Sequence, residues 1–263
     1  LKDRGRIEKG AFVHKNARIG KGSVIASGAR ILDGVRLDEN VQVESGTVIY
    51  GPAHVRAGTY IGPNALVGFP QESDLREQLK VKRRSEMRTV VGDHCIIRSG
   101  ATIYCGVTLG KRVRTGHNTL VRENVTVGDD TLLGTNCIID GSCMFGKHVS
   151  MQSGVYVCTY SQVEDYVFMG PCCVFTNDKY VMQRSAQLVG PTVRTEASIG
   201  ANALLMAGVE VGRGAVVGAQ ALVTENVPAR TIVVGMPATV RGKVPDDWKS
   251  LLREKCMKTG CHE

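Results

Sequence analysis

The chain keeps a six-residue beat. Counting in sixes from Val91 gives Ile97, Ile103, Leu109, Thr115, Val121, Val127, Leu133, Ile139, Phe145, Met151, Val157, Val163, Met169 and Phe175. Of these fifteen positions fourteen are aliphatic, Met or Phe, and Thr115 is the exception. Such a period matches neither the 3.6 of an α-helix nor the 2 of a simple strand. It describes a chain that turns a corner every six residues and places one large apolar side chain inside on each face. Two residues earlier stands a smaller inward residue, as at Ala101, Cys137, Cys143 and Cys173. Large and small inward residues separated by one outward residue make a short run of strand alternation.

The corner is also written in the sequence. Eight of the nine Asn residues fall three positions after a large residue: Asn16, Asn40, Asn64, Asn118, Asn124, Asn136, Asn202 and Asn226. Glycine shares that register, for example at Gly22, Gly46, Gly100 and Gly154. Asn and Gly tolerate left-handed backbone angles, so this register predicts the bend. Three hexads close a triangular coil, and coils stack at about 4.8 Å. The pattern predicts an all-β solenoid.

The beat already runs from Ile7 to Val67 and resumes from Val193 to Val223 without losing phase. Two stretches interrupt it. Residues 68–90 and 178–191 are expected to project as loops from a solenoid spanning residues 1–240. The basic end of the first loop, Lys80, Lys82, Arg83, Arg84 and Arg88, is expected either to clasp a neighbouring subunit or to meet a ligand phosphate. The tail, 241–263, should hold a short helix over 244–258, with Pro245 near its start and Trp248, Leu251 and Leu252 at helical spacing. That helix is expected to cap the open end of the solenoid or to pack on a neighbour.

Composition narrows the picture little. Aromatic residues make up 5% of the 263 residues, which suits a thin interior. The formal net charge of +8 points to anionic ligands such as phosphates, or simply to a basic surface. Nucleic-acid binding is not expected, because basic and aromatic residues do not interleave. No apolar run of spanning length or signal peptide is read, so a cytoplasmic location without membrane insertion is expected. Nine cysteines lack a paired framework and are expected to be free thiols in a reducing compartment.

The hexads IGANAL, VGRGAV and VGAQAL, followed by VTENVPARTIVVGMPATVRGK, resemble the hexapeptide-repeat acyltransferases of the left-handed parallel β-helix fold. Finer stretches, TLVRENVTVG, MQSGVYVCTY, VEDYVFMGPCCVFTND and GPTVRTEASIGANALL, resemble N-acetyltransferases acting on dTDP-linked 3-amino-3,6-dideoxyhexoses. Enzymes for UDP-linked amino sugars share much of this. The resemblance implies a homotrimer with sites between subunits, acetyl-CoA as acyl donor along the C-terminal coils, a nucleotide-linked amino sugar nearer the middle, and no metal.

Within residues 91–177 the corner residues two after each large position form three stacks. Asp93, Lys111, Asp129, Lys147 and Asp165 are all charged, and this stack is expected to face water. Ser99, His117, Thr135, Ser153 and Pro171, and then Cys105, Glu123, Gly141, Thr159 and Asn177, should line subunit interfaces. His117 is the candidate base, since imidazoles titrate near neutral pH; the competing reading is a polar corner residue. Asn177 is the one Asn outside the bend register, and by resemblance it and Asp178 bind the sugar or its amine. Glu123 shares the Asn177 corner about 14 Å away, the reach of a nucleotide-sugar. Asp140 and Gln152 are weaker sugar contacts by family position. For CoA, Ala201, Ala207 and Ala219 offer accessible backbone, and Arg213, Arg230, Arg241 and Lys243 offer charge for its phosphates. Competing functions are O-acylation, a UDP-sugar acyltransferase of lipid-precursor type, a non-catalytic scaffold, and a zinc carbonic anhydrase. The last needs three converging His and finds no His pair five residues apart.

Overall fold

The computed structural model describes residues 5–81 and 87–259. Of the basic loop residues, Lys82, Arg83 and Arg84 lie outside this range, as does Cys261. The chain divides into two compact units, residues 1–126 and 127–263.

Among its described residues the first unit holds seventeen strands of two to four residues, from Arg6–Ile7 to Leu120–Val121. Within the unit, each of the first fourteen pairs in parallel with the strand three places on, as where Tyr60 faces Ile96 and Ile61 faces Ile97. That offset of three is the signature of a triangular coil, one strand per face. The large positions Ile25, Ile61, Val91, Ile97 and Val121 are fully buried, so each coil stacks its apolar side chains on the one before. Thr115 is buried as well. Its hydroxyl accepts the backbone N–H of Arg98 at 2.9 Å, so a polar atom in the apolar column is satisfied.

Among its described residues the second unit repeats the design with sixteen strands, from Leu132–Leu133 to Thr239–Lys243; the strand Thr126–Val127 lies at the division. Met151, Val157, Met169, Phe175, Ile199 and Val217 fill its column. The hexad ladder ends at Thr231–Val234, which pairs antiparallel with Thr239–Lys243. Each unit is a left-handed parallel β-helix of hexapeptide repeats.

The bend register adopts left-handed angles as expected at Asn40, Asn64, Asn118, Asn124, Asn136 and Asn202, with φ between 54° and 59°. Asn16 and Asn226 are exceptions and keep negative φ. The register forces the same angle on residues that do not favour it, including His94, His148, Tyr160 and Tyr166. Tertiary stacking therefore sets the bend, and Asn or Gly only lowers its cost.

The interruption at 68–90 begins at a bulge. Gly68 has φ 75°, and a Cβ there would stand 2.6 Å from the carbonyl oxygen of Tyr50. Read from sequence as a loop, the stretch contains a ten-residue helix, α1 (Glu72–Val81), with Glu72 and Asp74 in its first turn. Acidic residues at a helix start favour the macrodipole, a signal masked by the run of charges around it. The stretch 178–191 has turns and no strand or helix.

The tail helix, α2 (Leu251–Thr259), starts later than the expected 244–258, and Leu252 is half-buried. Trp248 and Leu251 are exposed. The helix lies along the bend that was expected to face water. Arg253 pairs with Glu196, and Cys256 buries against His148 and Tyr166. This placement has a simple cause. Tyr166 and His148 occupy bend positions, and their rings give this otherwise charged edge an apolar patch.

Candidate functional site

His117 follows the strand Arg114–Thr115 at a corner, and its ring is exposed. One coil earlier on that corner, the Ser99 hydroxyl lies 2.7 Å from His117 Nδ1. The eighteen-residue offset makes this pairing a product of the coil itself. A hydroxyl on one ring nitrogen helps to fix the orientation of the imidazole.

Glu123 sits at the next corner of the same coil. It pairs with Arg122 through two contacts of 3.2 and 2.8 Å. The Arg122 guanidinium lies 5.9 Å from the centroid of Tyr104. Tyr104 in turn meets Phe69 edge-on at 5.2 Å, and Phe69 meets Tyr50 at 5.6 Å. This half-buried row of rings along one face went unread in the sequence, because its members are separated by the loop. The Cys105 thiol reaches Asp74 of α1 at 3.7 Å, which ties the helix to the same edge.

The remaining predicted sugar contacts belong to the second unit. Asp140 accepts a 2.6 Å bond from the Tyr156 hydroxyl, and Gln152 Nε2 donates to Ser150 Oγ at 3.0 Å. Asn177 Nδ2 donates to the Thr159 carbonyl at 3.3 Å, and the Asn177 carbonyl accepts Val189 N at 3.0 Å. Asp178 is committed to its own loop: its carboxylate accepts Tyr180 N at 2.8 Å and Met182 N at 2.7 Å. Those two N–H groups hold its carboxyl below the usual aspartate range. Asn177 thus ties the two ends of the loop together, and Asp178 braces its first turn.

The structure separates the residues assigned to CoA. Ala201 and Ala219 share the corner after the strands Ser198–Ile199 and Val216–Val217. Ala207 lies on a second corner, after Leu204–Leu205, and Arg213 on the third, after Glu210–Val211. Arg213 reaches Glu196 at 3.2 Å, beside the α2 contact. Arg230 binds the carbonyls of Val244 and Pro245 at 3.2 and 3.1 Å. Arg230 therefore serves the tail, while Arg213 reaches a coil carboxylate that also pairs with the tail's Arg253. Lys243 Nζ lies 3.5 Å from Thr231 Oγ1, and Arg241 is exposed on the last strand. A cavity of about 390 Å³ opens between α2 and the coil, lined among others by Glu196, Arg230, Trp248 and Arg253. Its charges are mostly spent on one another.

Comparison with known proteins fits this architecture. A family model described as the hexapeptide repeat of succinyl-transferase matches residues 7–50, 88–121, 124–158 and 196–225, more than half of the chain. The chain belongs to the hexapeptide-repeat acyltransferase family. Within that family it is 25% identical over 188 residues to the bifunctional protein GlmU of Desulfitobacterium hafniense, covering 72% of this chain and 35% of that one. It is 48% identical over 58 residues to the 2,3,4,5-tetrahydropyridine-2,6-dicarboxylate N-acetyltransferase of Enterococcus faecalis, 22% of this chain and 25% of the relative. The chain thus spans about a third or less of the length of these relatives. Among solved structures, the Francisella novicida UDP-N-acetylglucosamine acyltransferase superposes with a TM-score of 0.50 at 18% identity, covering 97% of this chain and 73% of that one. That likeness concerns the fold.

Proposed function

We propose that this family member is an acetyl-CoA-dependent N-acetyltransferase acting on the amine of a nucleotide-linked amino sugar, with a dTDP-linked 3-amino-3,6-dideoxyhexose as the favoured substrate. The observation that carries the reading is His117, held by Ser99 at an exposed corner of a family coil. The neutral sugar amine attacks the thioester carbonyl, and a backbone N–H at a small corner residue stabilises the oxyanion. His117 takes the proton that leaves the nitrogen, the C–S bond breaks, and CoA departs as the thiol after protonation. The product is the amide. Ala201 and Ala219, which share a corner, are the backbone positions proposed for CoA, with Arg241 and Lys243 as the charges still suited to its phosphates. Asn177 is proposed to hold the sugar from the loop it closes, and Glu123 to reach it from its Arg122 pair. The working unit is proposed to be a homotrimer in the cytoplasm, with each site built from two subunits. Support for amine chemistry comes from the N-acetyltransferase among the relatives.

The test is a thiol-release screen of acetyl-CoA against a panel of dTDP- and UDP-linked amino sugars. Release with a dTDP-3-amino sugar and none with the matching 3-hydroxy sugar is the expected outcome. Release only with a longer acyl donor and a UDP-sugar would replace this reading with the lipid-precursor type. No release with any amino sugar would end it.

A further inference from the structure

The cavity of about 390 Å³ between α2 and the coil lies wholly in the second unit. Its volume falls within the range of small-molecule pockets. Most of the charge around it is engaged. Glu196 pairs with Arg253 and Arg213, and Arg230 binds the carbonyls of Val244 and Pro245 and the carboxylate of Asp246. Three lining side chains are not engaged. Among the described residues Trp248, Lys249 and Glu254 make no side-chain hydrogen bond, ion pair or ring contact. The Trp248 ring is exposed, and Glu254 is half-buried. None of the three belongs to the proposed acyl-transfer site.

The unspent groups are an aromatic face, a cation and an acceptor, and they stand close together in the chain. Trp248 and Lys249 lead into α2, and Glu254 lies in its first turn. An indole face open to water takes a flat ring, and every nucleobase has a π-face to offer it. An ammonium meets a phosphate as a point charge. An ionised carboxylate only accepts hydrogen bonds, and the exocyclic amine of a purine donates them. A bare phosphate would leave the indole and the carboxylate unserved. An aliphatic ligand would leave both charges unserved. A purine nucleotide with an exocyclic amine serves all three.

We infer that this cavity binds an amine-bearing purine nucleotide, with the base on Trp248, its exocyclic amine on Glu254 and the phosphate on Lys249. A free nucleotide and the adenosine end of an acyl-CoA donor share this chemistry. The place of the cavity matches the free nucleotide better. It stands on the Glu196 corner, whereas Ala201 and Ala219, proposed for CoA, stand on the corner at the other end of the strands Ser198–Ile199 and Val216–Val217. The site has no part in acyl transfer, and its test reads binding alone.

Trp248 is the single tryptophan of the chain, so its fluorescence reports on the cavity directly. Titrating the full chain with AMP should quench that fluorescence saturably, and equilibrium dialysis with labelled AMP should show about one site per chain. In dialysis, Trp248→Ala and Lys249→Ala should each weaken AMP binding by about tenfold or more while keeping the far-ultraviolet circular dichroism of the wild type. AMP dimethylated on its exocyclic nitrogen cannot donate. It should bind the wild type more weakly than AMP does, and Glu254→Ala should bind the two alike. Quenching by AMP that persists in saturating CoA would place a free nucleotide in the cavity; quenching that CoA displaces would place the donor's adenosine end there. If neither AMP nor GMP binds in dialysis, the site is overturned. Undiminished AMP affinity in both the Trp248→Ala and the Lys249→Ala proteins would overturn it as well.

Discussion

Ser99 Oγ and His117 Nδ1 stand 2.7 Å apart, one coil step from each other on the same corner. The pair makes a testable division of labour. His117→Ala should lower kcat by about 10²- to 10⁴-fold, the usual worth of a positioned acid–base group. Ser99→Ala removes the hydroxyl from Nδ1, and should lower kcat by about tenfold with little change in KM for either substrate. Initial rates of thiol release measure both. Equal losses in KM and kcat for Ser99→Ala would mean that the serine shapes the binding surface and not the base. An unchanged turnover for His117→Ala would remove the base.

Asn177 and Asp178 are adjacent but do different work. Asn177→Ala should raise KM for the amino sugar severalfold and spare KM for acetyl-CoA; the reverse pattern would reassign the loop to the donor. Asp178 accepts the N–H groups of Tyr180 and Met182, and these bonds lower its pKa. A carboxyl with a depressed folded pKa contributes order above its unfolded value, near 3.9, and loses it as pH falls through the folded one. Amide hydrogen exchange at Tyr180 and Met182 should therefore accelerate below about pH 4, while core amides such as Val157 stay protected. Asp178→Asn should show the faster exchange already at neutral pH.

How much of this was legible depends on how local the signal is. The hexad beat is a strictly local repeat, so coils, inward columns and most bends could be read from residues alone. The Ser99–His117 pair follows from the same arithmetic, since an offset of eighteen returns to the same corner. The row Tyr50, Phe69 and Tyr104 could not be counted out, because the 68–90 loop breaks the spacing between its members. Asn177 stood out by its register, but nothing in the sequence said that Asp178 would turn its carboxylate onto its own loop. Arg213 and Arg230 looked like phosphate ligands because their partners, the coil residue Glu196 and the tail carbonyls of 244–245, are met only in the folded chain. The route of the tail depends on the ring pair His148–Tyr166, which only the folded coil assembles.

The interior thiols give a prediction that needs no activity. Burial pushes the Cys137 thiol up to about 11, and those of Cys143 and Cys173 to about 12. Cys137 and Cys143 also donate to the carbonyls of Gln152 and Cys158 at 3.0 and 3.1 Å. A thiol reagent at pH 8 should label the exposed Cys172 within minutes and these three only on unfolding. The sign for stability follows. Thiols whose folded pKa is raised contribute stability that is complete below the unfolded value, about 8.5, and lost as pH rises through the folded ones. Midpoints of urea unfolding should therefore fall between about pH 9 and 11. A midpoint flat across that range would show that the thiols ionise in place.

Thr115 tests whether the beat or the hydrogen bond governs the interior. Every neighbour in its column from Val91 to Phe175 is apolar, so Thr115→Val restores the sequence rule with nearly the same shape. Its hydroxyl accepts Arg98 N at 2.9 Å, and its carbonyl accepts Arg98 Nη1 at 2.8 Å. Valine keeps the second bond and removes the first, which leaves a part-buried backbone N–H without its acceptor. Such a loss costs about 1–3 kcal/mol, against less than about 1 kcal/mol gained by burying one more methyl. Thr115→Val should therefore be less stable than the wild type by urea unfolding, with an unchanged m-value. Thr115→Ser keeps the acceptor and loses a methyl, and should fall by about 1 kcal/mol. A Thr115→Val protein more stable than the wild type would mean that the column tolerates the unpaired N–H, and that apolar stacking alone sets the stability of this coil.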